Sequence, residues 1–334
     1  MDITILYDAK LTEAVVRQEV DKRERKGDLS LMEEYHKEVD PIYDIDDVID
    51  REEEFDKLYE KFFLSNLGYG KVIKEVFDEF PFLNEKISDV YINMDLMREE
   101  ANLMKKDPDE PGNLRKIKFK MRPEIFGDTN ELRKSIRHEL MHVKDMLDDD
   151  YGYDIRVPAG LNTTEENFVR DRYKILWDIY IDSRLIKEGR ETMETKEKRF
   201  AWFSGIYRKL PNEQKVVMFD NFWNKEKITH KEMLDMATDM MKAVPLLGGD
   251  ASDAELEKEK QSYWSGRQCP LCKFPTHKWS KDINPEGANG EKAKKLQNAI
   301  KADFPKWTAE EGVCERCAEL YKFNVEEAER EANL

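Results

Sequence analysis

The sequence predicts an α+β protein, mainly helical, with a small sheet and a small C-terminal module built around four cysteines. Three observations lead to this prediction. Apolar residues recur at helical spacing along most of the chain, two segments alternate apolar and polar residues as strands do, and all four cysteines fall in two C-x-x-C pairs. The 334 residues suffice for one large domain and a small appended one.

The charge balance limits the classes of partner. The chain has 56 basic and 72 acidic residues, a formal net charge of −16, which opposes attraction to nucleic acid or to anionic membranes. The first residues, Met1 to Thr4, lack the features of a secretory signal, and no segment approaches the roughly 18 apolar residues of a membrane span. We therefore expect a cytoplasmic protein without a membrane partner.

The first half of the chain predicts helices around two strands. Residues 1–50 predict a charged helical extension, in which "LTEAVVRQEVDKRERKGD" ends as a helix near Gly27. The main domain, residues 51–262, opens with helices in "EEEFDKLYEKFFLSNLGYG" and "KVIKEVFDEF". The alternating segments "SDVYINMDL" and "LRKIKFKMRPEI" follow as the two strands.

Helical periodicity returns after the second strand. One helix runs from about Glu131 to Leu147, and a second from about Glu165 to Lys187, where Gly189 ends it. Three further helices are predicted in "TKEKRFAWFSGIYRKL", "NEQKVVMFDNFW" and "THKEMLDMATDMMKAV". The composition shift in "PLLGGDASDAELEKEKQ" indicates a linker before the cysteine module, residues 264–334.

The segment "RHELMHVKDML" carries two histidines at an i, i+4 spacing. On a helix, His138 and His142 project from one face and can direct imidazole nitrogens at one metal ion. Glu139 lies one residue further round, where a carboxylate can take a proton from a zinc-bound water whose pKa the metal lowers to about 7. The spacing therefore predicts a catalytic zinc site.

The H-E-x-x-H pattern resembles that of the zincin metallopeptidases. The resemblance implies zinc-dependent hydrolysis of peptide bonds, with a peptide or protein as substrate. It also implies that "KIKFKM" is the edge strand of the substrate cleft, to which an extended peptide can add as a further strand. A third, acidic zinc ligand is expected from a later helix.

The helix "ENFVRDRYKILWDIYIDSRL" offers that third ligand in two ways. On the E-x-x-x-D template of some zincins, Asp178 binds zinc and Asp182 orients His138. On the W-N-x-x-x-D element of certain metallopeptidase-like domains, Asp182 is the ligand. Glu165 and Glu166 are further choices, and pairing of the aspartates with nearby arginines is the alternative without metal.

The two cysteine pairs predict a second, structural zinc. "CPLC" supplies Cys269 and Cys272, "CERC" supplies Cys314 and Cys317, and four thiolates close a tetrahedral site. The long insertion between the pairs and the helical sequence after Cys317 indicate a zinc ribbon or a treble-clef-like module.

The stretch "RQCPLCKFPTHKWSK" mixes basic and aromatic residues, which can bind nucleic acid or simply pack around the metal core. Some SprT-like proteases join H-E-x-x-H to a zinc module and act on DNA-bound proteins, but the net charge argues against that substrate here. The rival function is a non-catalytic protein with two structural zinc ions, whose cysteine module recruits a protein or a nucleic acid.

Overall fold

The computed structural model describes residues 3–105, 114–156, 163–207, 210–250, 268–276, 278–280, 282–283 and 290–332. Within these ranges the fold is α+β and mostly helical, with one four-stranded sheet, which confirms the predicted class at that level. None of the helices in the described part of the chain is both long enough and apolar enough to cross a membrane.

The strands and helices have the following bounds. The strands are β1 (Thr4–Tyr7), β2 (Ile87–Met94), β3 (Glu100–Leu103) and β4 (Arg115–Met121). The helices are α1 (Ala9–Arg25), α2 (Ser30–Val39), α3 (Val48–Lys61), α4 (Tyr69–Asp78), α5 (Leu83–Lys86), α6 (Thr129–Met146), α7 (Thr163–Lys187), α8 (Lys196–Ile206), α9 (Asn212–Trp223), α10 (His230–Thr238), α11 (Met240–Leu246), α12 (Gly290–Asp303) and α13 (Glu315–Ala332).

The chain divides into two compact units. The first comprises Met1–Asp154, Asp178–Lys198 and Glu226–His230, and the second comprises Ile155–Trp177, Arg199–Lys225 and Lys231–Leu334. The first unit contains the sheet and α6. The second contains the cysteine module, and the C-terminal part of the predicted linker, residues 251–261, lies outside the described residues.

The sheet has the order β1-β2-β4-β3, with β1, β2 and β4 parallel and β3 antiparallel to β4. Alternation decides which face of β4 is covered, since Ile117, Phe119 and Met121 are buried while Lys118 between them is exposed. The two predicted strands are β2 and β4. The sequence analysis missed β1 and β3, each of which has only four residues.

The N-terminal residues belong to the first unit and not to a solvated extension. Thr4–Tyr7 pair with β2, and the side chain of Asp8 caps α1 and also accepts a hydrogen bond from the backbone of Met94. On α1, Leu11 and Val16 are fully buried. The charged residues that suggested an extension occupy only the outer face of this helix, because a helix needs one apolar stripe to pack.

Two helices bring the candidate site together. Asp128 caps α6 by accepting hydrogen bonds from the backbone N–H groups of Asn130 and Glu131, and α6 packs against β3 and α4. α7 ends at Lys187, and Gly189 beyond it has a positive φ of 71°, which permits the paired hydrogen bonds of a left-handed C-terminal turn. Both ends are thus set by local sequence, as the capping residues predict.

Candidate metal centres

The histidine helix is α6, and it buries its two histidines and its glutamate together. His138, Glu139 and His142 are each exposed over less than a tenth of their surface. The rings of His138 and His142 stand 5.0 Å apart, centroid to centroid, as expected for neighbours one helical turn apart. Their Nε2 atoms point to the same carboxylate on α7.

That carboxylate belongs to Asp178. Its Oδ1 lies 3.3 Å from Nε2 of His138 and 3.1 Å from Nε2 of His142. Among the described residues, His138, His142 and Asp178 form a group whose possible ligand atoms all lie within 4.8 Å of one another. A histidine pair and a carboxylate, 36 to 40 residues apart in sequence, therefore converge on one point.

Asp182 lies behind His138 rather than beside both rings. Its Oδ1 is 3.0 Å from Nδ1 of His138, and the residue is completely buried. A carboxylate at Nδ1 favours the tautomer with its proton there, which would leave the lone pair of Nε2 available to a metal ion placed between Nε2 and Asp178. Of the two arrangements left open by the sequence, this geometry corresponds to the one with Asp178 at the metal position.

The distances fit a tetrahedral metal ion. Four ligands at about 2.0–2.1 Å from zinc lie about 3.3 Å from each other. The two N···O separations between the histidines and Asp178, 3.1 and 3.3 Å, match this edge length. Two imidazole nitrogens and one carboxylate oxygen are also the donor set of catalytic zinc sites that keep a fourth position for water.

The charges of the cluster require a cation. Burial alone would lower the pKa of His138, but hydrogen bonds to Asp178 and Asp182 outweigh it and raise that pKa to about 10. Burial raises the pKa of Asp178, but the hydrogen bonds from both histidines outweigh this effect and hold the pKa of the carboxyl well below its ordinary range. Buried carboxylates need a positive partner, which either protonated imidazole or a divalent metal supplies.

Glu139 reaches the neighbouring strand. The backbone N–H of Ala101 on β3 donates a hydrogen bond to Oε2 of Glu139 at 2.8 Å. Burial raises the pKa of this carboxyl, which suits a group that must accept a proton near neutral pH. No sequence pattern indicated this contact, because β3 is too short to show an alternation.

An ion pair follows the histidines on the same helix face. Asp145, seven residues after His138, accepts two hydrogen bonds from the guanidinium of Arg184, at 2.7 and 2.6 Å. Arg184 also stacks on the ring of Tyr180, with its Cζ 4.1 Å from the ring centroid. Arg184, one of several arginines near Asp178 and Asp182 in sequence, thus pairs with Asp145. The seven-residue spacing from His138 to Asp145 was the sequence signal that could have identified Asp145 as a residue on the buried face of α6.

The edge strand differs from the sequence prediction. "KIKFKM" forms β4, which lies between β2 and β3, so it is not an edge of the sheet. Within the described residues the edge beside α6 is β3. β3 has only four residues and no clear alternation, so the sequence pattern did not show the strand that ends the sheet.

Tyr151 and Tyr153, which follow α6 in sequence, lie against His230. Their ring centroids are 6.2 and 5.4 Å from that of the histidine, and the backbone N–H of His230 donates to the carbonyl of Tyr151. These contacts anchor the segment after α6. The side chain of Glu165, a further ligand choice, lies outside the described residues.

The four cysteines form the second group. Their sulfurs all lie within 4.8 Å of one another, and Sγ of Cys272 is 3.8 Å from Sγ of Cys314. Thiolates at about 2.3 Å from a tetrahedral zinc lie about 3.8 Å apart. None of the four is in a disulfide.

Backbone hydrogen bonds hold the sulfurs in place. The N–H of Cys314 donates to Sγ of Cys269, and the N–H of Cys317 donates to Sγ of Cys314. Burial raises the pKa of the Cys269 thiol, but hydrogen bonds from the backbone N–H groups of Cys314, Cys272 and Leu271 outweigh it and lower the pKa. Burial and the adjacent thiols raise the pKa of Cys317.

A small core surrounds the sulfurs. It includes Leu271, Ile300, Trp307 and Tyr321, from the first cysteine pair, α12, the following loop and α13. Trp279 pairs with Cys314 and is half-buried, whereas Lys278 is exposed and Phe274 is 70 % exposed. The basic-aromatic stretch therefore divides between packing and solvent, and its members Arg267, His277 and Lys281 lie outside the described residues.

Comparison of the chain with protein-family models, curated proteins and solved structures gives no match. The geometry of the two groups is therefore the basis for a functional assignment.

Proposed function

We propose that this protein is a zinc-dependent peptidase of the zincin type. The observation that carries the proposal is the convergence of His138, His142 and Asp178 next to Glu139. The H-E-x-x-H pattern supports it. On the helix that this pattern predicts, the histidines are buried against the carboxylate of Asp178, and Glu139 is buried against β3. The aspartate in place of a glutamate ligand distinguishes it from the more familiar glutamate zincins.

In this proposal Nε2 of His138, Nε2 of His142 and Oδ1 of Asp178 hold zinc. Bound there, zinc lowers the pKa of a coordinated water to about 7 and polarises the carbonyl of the scissile peptide bond. Asp182 keeps the proton of His138 on Nδ1, so that Nε2 remains a donor to the metal. The burial of the cluster excludes bulk water and strengthens these interactions.

Glu139 is the general base. Its carboxylate takes a proton from the attacking water and returns it to the nitrogen of the leaving amine. The pKa of Glu139, raised by burial, brings its proton affinity closer to that of the water it must deprotonate. The residue is adjacent to His138 in sequence, so helix geometry alone brings it near the metal position without making it a ligand.

The substrate is an extended segment of peptide or protein. β3 lies at the sheet edge next to α6, and a peptide can add to such an edge through backbone hydrogen bonds. The backbone hydrogen bonds of an added strand distinguish little between the side chains of the bound peptide, so specificity would come from groups beside β3.

The cysteine group holds a structural zinc in a zinc ribbon or treble-clef-like module. All four positions are thiolates, which leaves no place for water. Cys317 lies in the first turn of α13, as expected for the treble-clef variant. The small core around the sulfurs is consistent with a module that requires its metal to fold.

A zinc assay combined with peptide digestion tests the proposal. The purified protein should contain two zinc ions per chain and cleave casein or a peptide library, and Glu139→Gln should keep both ions and lose cleavage. Glu131→Gln is the matched control, because Glu131 lies on the same helix, where its partly exposed side chain pairs with Lys134. Full zinc content without cleavage of any peptide by the wild-type protein would contradict the peptidase.

The second candidate is a non-catalytic protein whose cysteine module recruits a protein or nucleic acid. One observation favours it: a groove beside the first cysteine pair combines apolar residues with charges of both signs, and it is lined by Pro270, Lys273, Asp303, Phe304, Pro305, Lys306, Trp307 and Glu311. In that case the chain binds two zinc ions, and neither the wild type nor Glu139→Gln hydrolyses peptides. Capture of a partner that Lys306→Glu abolishes would then support recruitment.

A further inference from the structure

The direction of the backbone groups on β3 follows from its register with β4. Ala101 lies opposite Phe119 and Leu103 lies opposite Ile117, so the next residue, Met104, lies opposite Lys116. The N–H of Met104 donates to the carbonyl of Lys116 at 2.8 Å. Because hydrogen-bonded pairs alternate in an antiparallel ladder, Ala101 and Leu103 direct their backbone groups away from β4.

One of these outward groups is already bound. The N–H of Ala101 donates to Oε2 of Glu139, and Ala101 is only 2 % exposed. The acceptor is a carboxylate, which makes the hydrogen bond stronger than one between neutral groups. The edge of the sheet and the glutamate of α6 are therefore joined by a buried, charge-assisted bond.

We propose that the backbone N–H of Ala101 is a positioning group for Glu139, and this inference rests on the proposed peptidase function. A glutamate side chain has three rotatable bonds, and a base is effective only within a narrow range of distance and angle to its proton. The bond to Ala101 fixes one carboxylate oxygen and thereby the direction of the other. A backbone N–H in a sheet is itself held rigidly, so its hydrogen bond restrains the position of the Glu139 carboxylate.

β3 then determines both the position of the general base, Glu139, and the register of a bound peptide. Leu103 presents its N–H and carbonyl on the same side as Ala101, two residues along. A peptide that adds to β3 uses the backbone groups of Leu103, while the Ala101 N–H stays with Glu139. The scissile bond is consequently placed relative to the base by a three-residue segment of one strand.

Replacement of single backbone N–H groups by ester oxygens tests this role without altering a side chain. Incorporation of lactic acid at position 101 should lower kcat about tenfold or more, with KM and zinc content unchanged, because only the orientation of Glu139 is lost. Leucic acid at position 103 should instead raise KM and leave kcat nearly unchanged. An ester at position 101 that raises KM alone, or leaves both constants unchanged, would overturn the proposal.

An amide exchange measurement tests the bond apart from catalysis. In the full-length protein, Glu139→Ala removes the acceptor and should speed hydrogen exchange at the Ala101 amide by at least about tenfold, while Asn102, which bonds to β4, keeps its rate. Glu139→Gln retains an acceptor oxygen and should keep most of the protection. Equal exchange of Ala101 in all three proteins would refute the contact.

The two measurements separate this inference from the peptidase proposal. If the wild-type protein cleaves no peptide, the proposed function fails, and the exchange rates still decide whether Ala101 holds Glu139. If cleavage occurs and the 101 ester retains full kcat, the positioning role alone fails.

Discussion

The pair Asp178→Asn and Asp182→Asn separates a metal ligand from the group that orients a ligand. Asp178 approaches the Nε2 atoms of both histidines, at 3.3 and 3.1 Å, whereas Asp182 contacts only Nδ1 of His138, at 3.0 Å. Asp178→Asn removes one bond to zinc and the negative charge of that ligand. Asp182→Asn removes the negative charge that strengthens the hydrogen bond to Nδ1 of His138. The two variants should therefore differ strongly in zinc affinity.

The magnitudes follow from the number of bonds lost. A tetrahedral site binds zinc with roughly 10–16 kcal/mol, so loss of one of four ligands costs about 3 kcal/mol, or more than roughly 100-fold in affinity. Loss of a group that supports a ligand typically costs about 10- to 100-fold, or about 1.4–2.7 kcal/mol. Asp178→Asn should thus bind zinc more weakly than Asp182→Asn.

Zinc content after dialysis against graded free zinc measures the difference. The wild type and Asp182→Asn should reach two zinc ions per chain at concentrations where Asp178→Asn stays at one, held by the cysteines. Asp171→Asn is the control, since Asp171 is exposed on the same helix. A larger loss for Asp182→Asn than for Asp178→Asn would refute the assignment and favour Asp182 as the ligand.

Three further perturbations test the scaffold of the two sites. Asp145→Asn breaks the buried ion pair with Arg184 and should lower the free energy of unfolding by about 3–5 kcal/mol in chemical denaturation, because it leaves a buried charge poorly paired. Burial raises the pKa of Tyr69 to about 12, above the value of about 10 in the unfolded chain, so its contribution to stability is complete below about pH 10 and is lost as the pH rises through about 12. Tyr69→Phe also removes a hydrogen bond to the carbonyl of Phe126, so it should cost about 1 kcal/mol at neutral pH and reduce the fall in stability at alkaline pH. Cys272→Ser should reduce zinc from two ions to one and make the cysteine module sensitive to limited proteolysis.

Each of these changes has an exposed counterpart. Asp149→Asn, Tyr43→Phe and Lys306→Ala alter exposed residues and should leave stability and zinc content close to wild type. A cost below about 1 kcal/mol for Asp145→Asn would show that the ion pair does not fix the helices. An unchanged alkaline slope for Tyr69→Phe, or two zinc ions in Cys272→Ser, would contradict the corresponding predictions.

The sequence predicted those features that depend on short, regular spacing. Histidines four residues apart on a helix share a face, and cysteines three apart form a metal-binding turn, so His138, His142 and the four cysteines could be named from the chain alone. The helix limits were similarly predictable, as α9 coincides with the periodic segment "NEQKVVMFDNFW". Local geometry determines these features, and local geometry is what a sequence pattern records.

The missed features involve either very short strands or distant partners. β1 and β3 have four residues each, which is too few to show alternation, and their places in the sheet come from pairing with β2 and β4. The charged residues of α1 suggested a solvated extension because the apolar stripe of Leu11, Val15 and Val16 is narrow. Tertiary packing overrode the composition in both cases.

By itself the sequence determined the α+β class, the two groups of metal-capable side chains and the glutamate beside the histidines. Only the tertiary structure decided that Asp178 faces both imidazoles, that Asp182 stands behind one of them, and that Ala101 bonds Glu139. Both aspartates lie one helical turn apart, so local spacing treats them alike, and their different roles arise from how α7 is rotated against α6. That rotation is fixed by side-chain packing between residues about 40 positions apart, which no short pattern in the chain encodes.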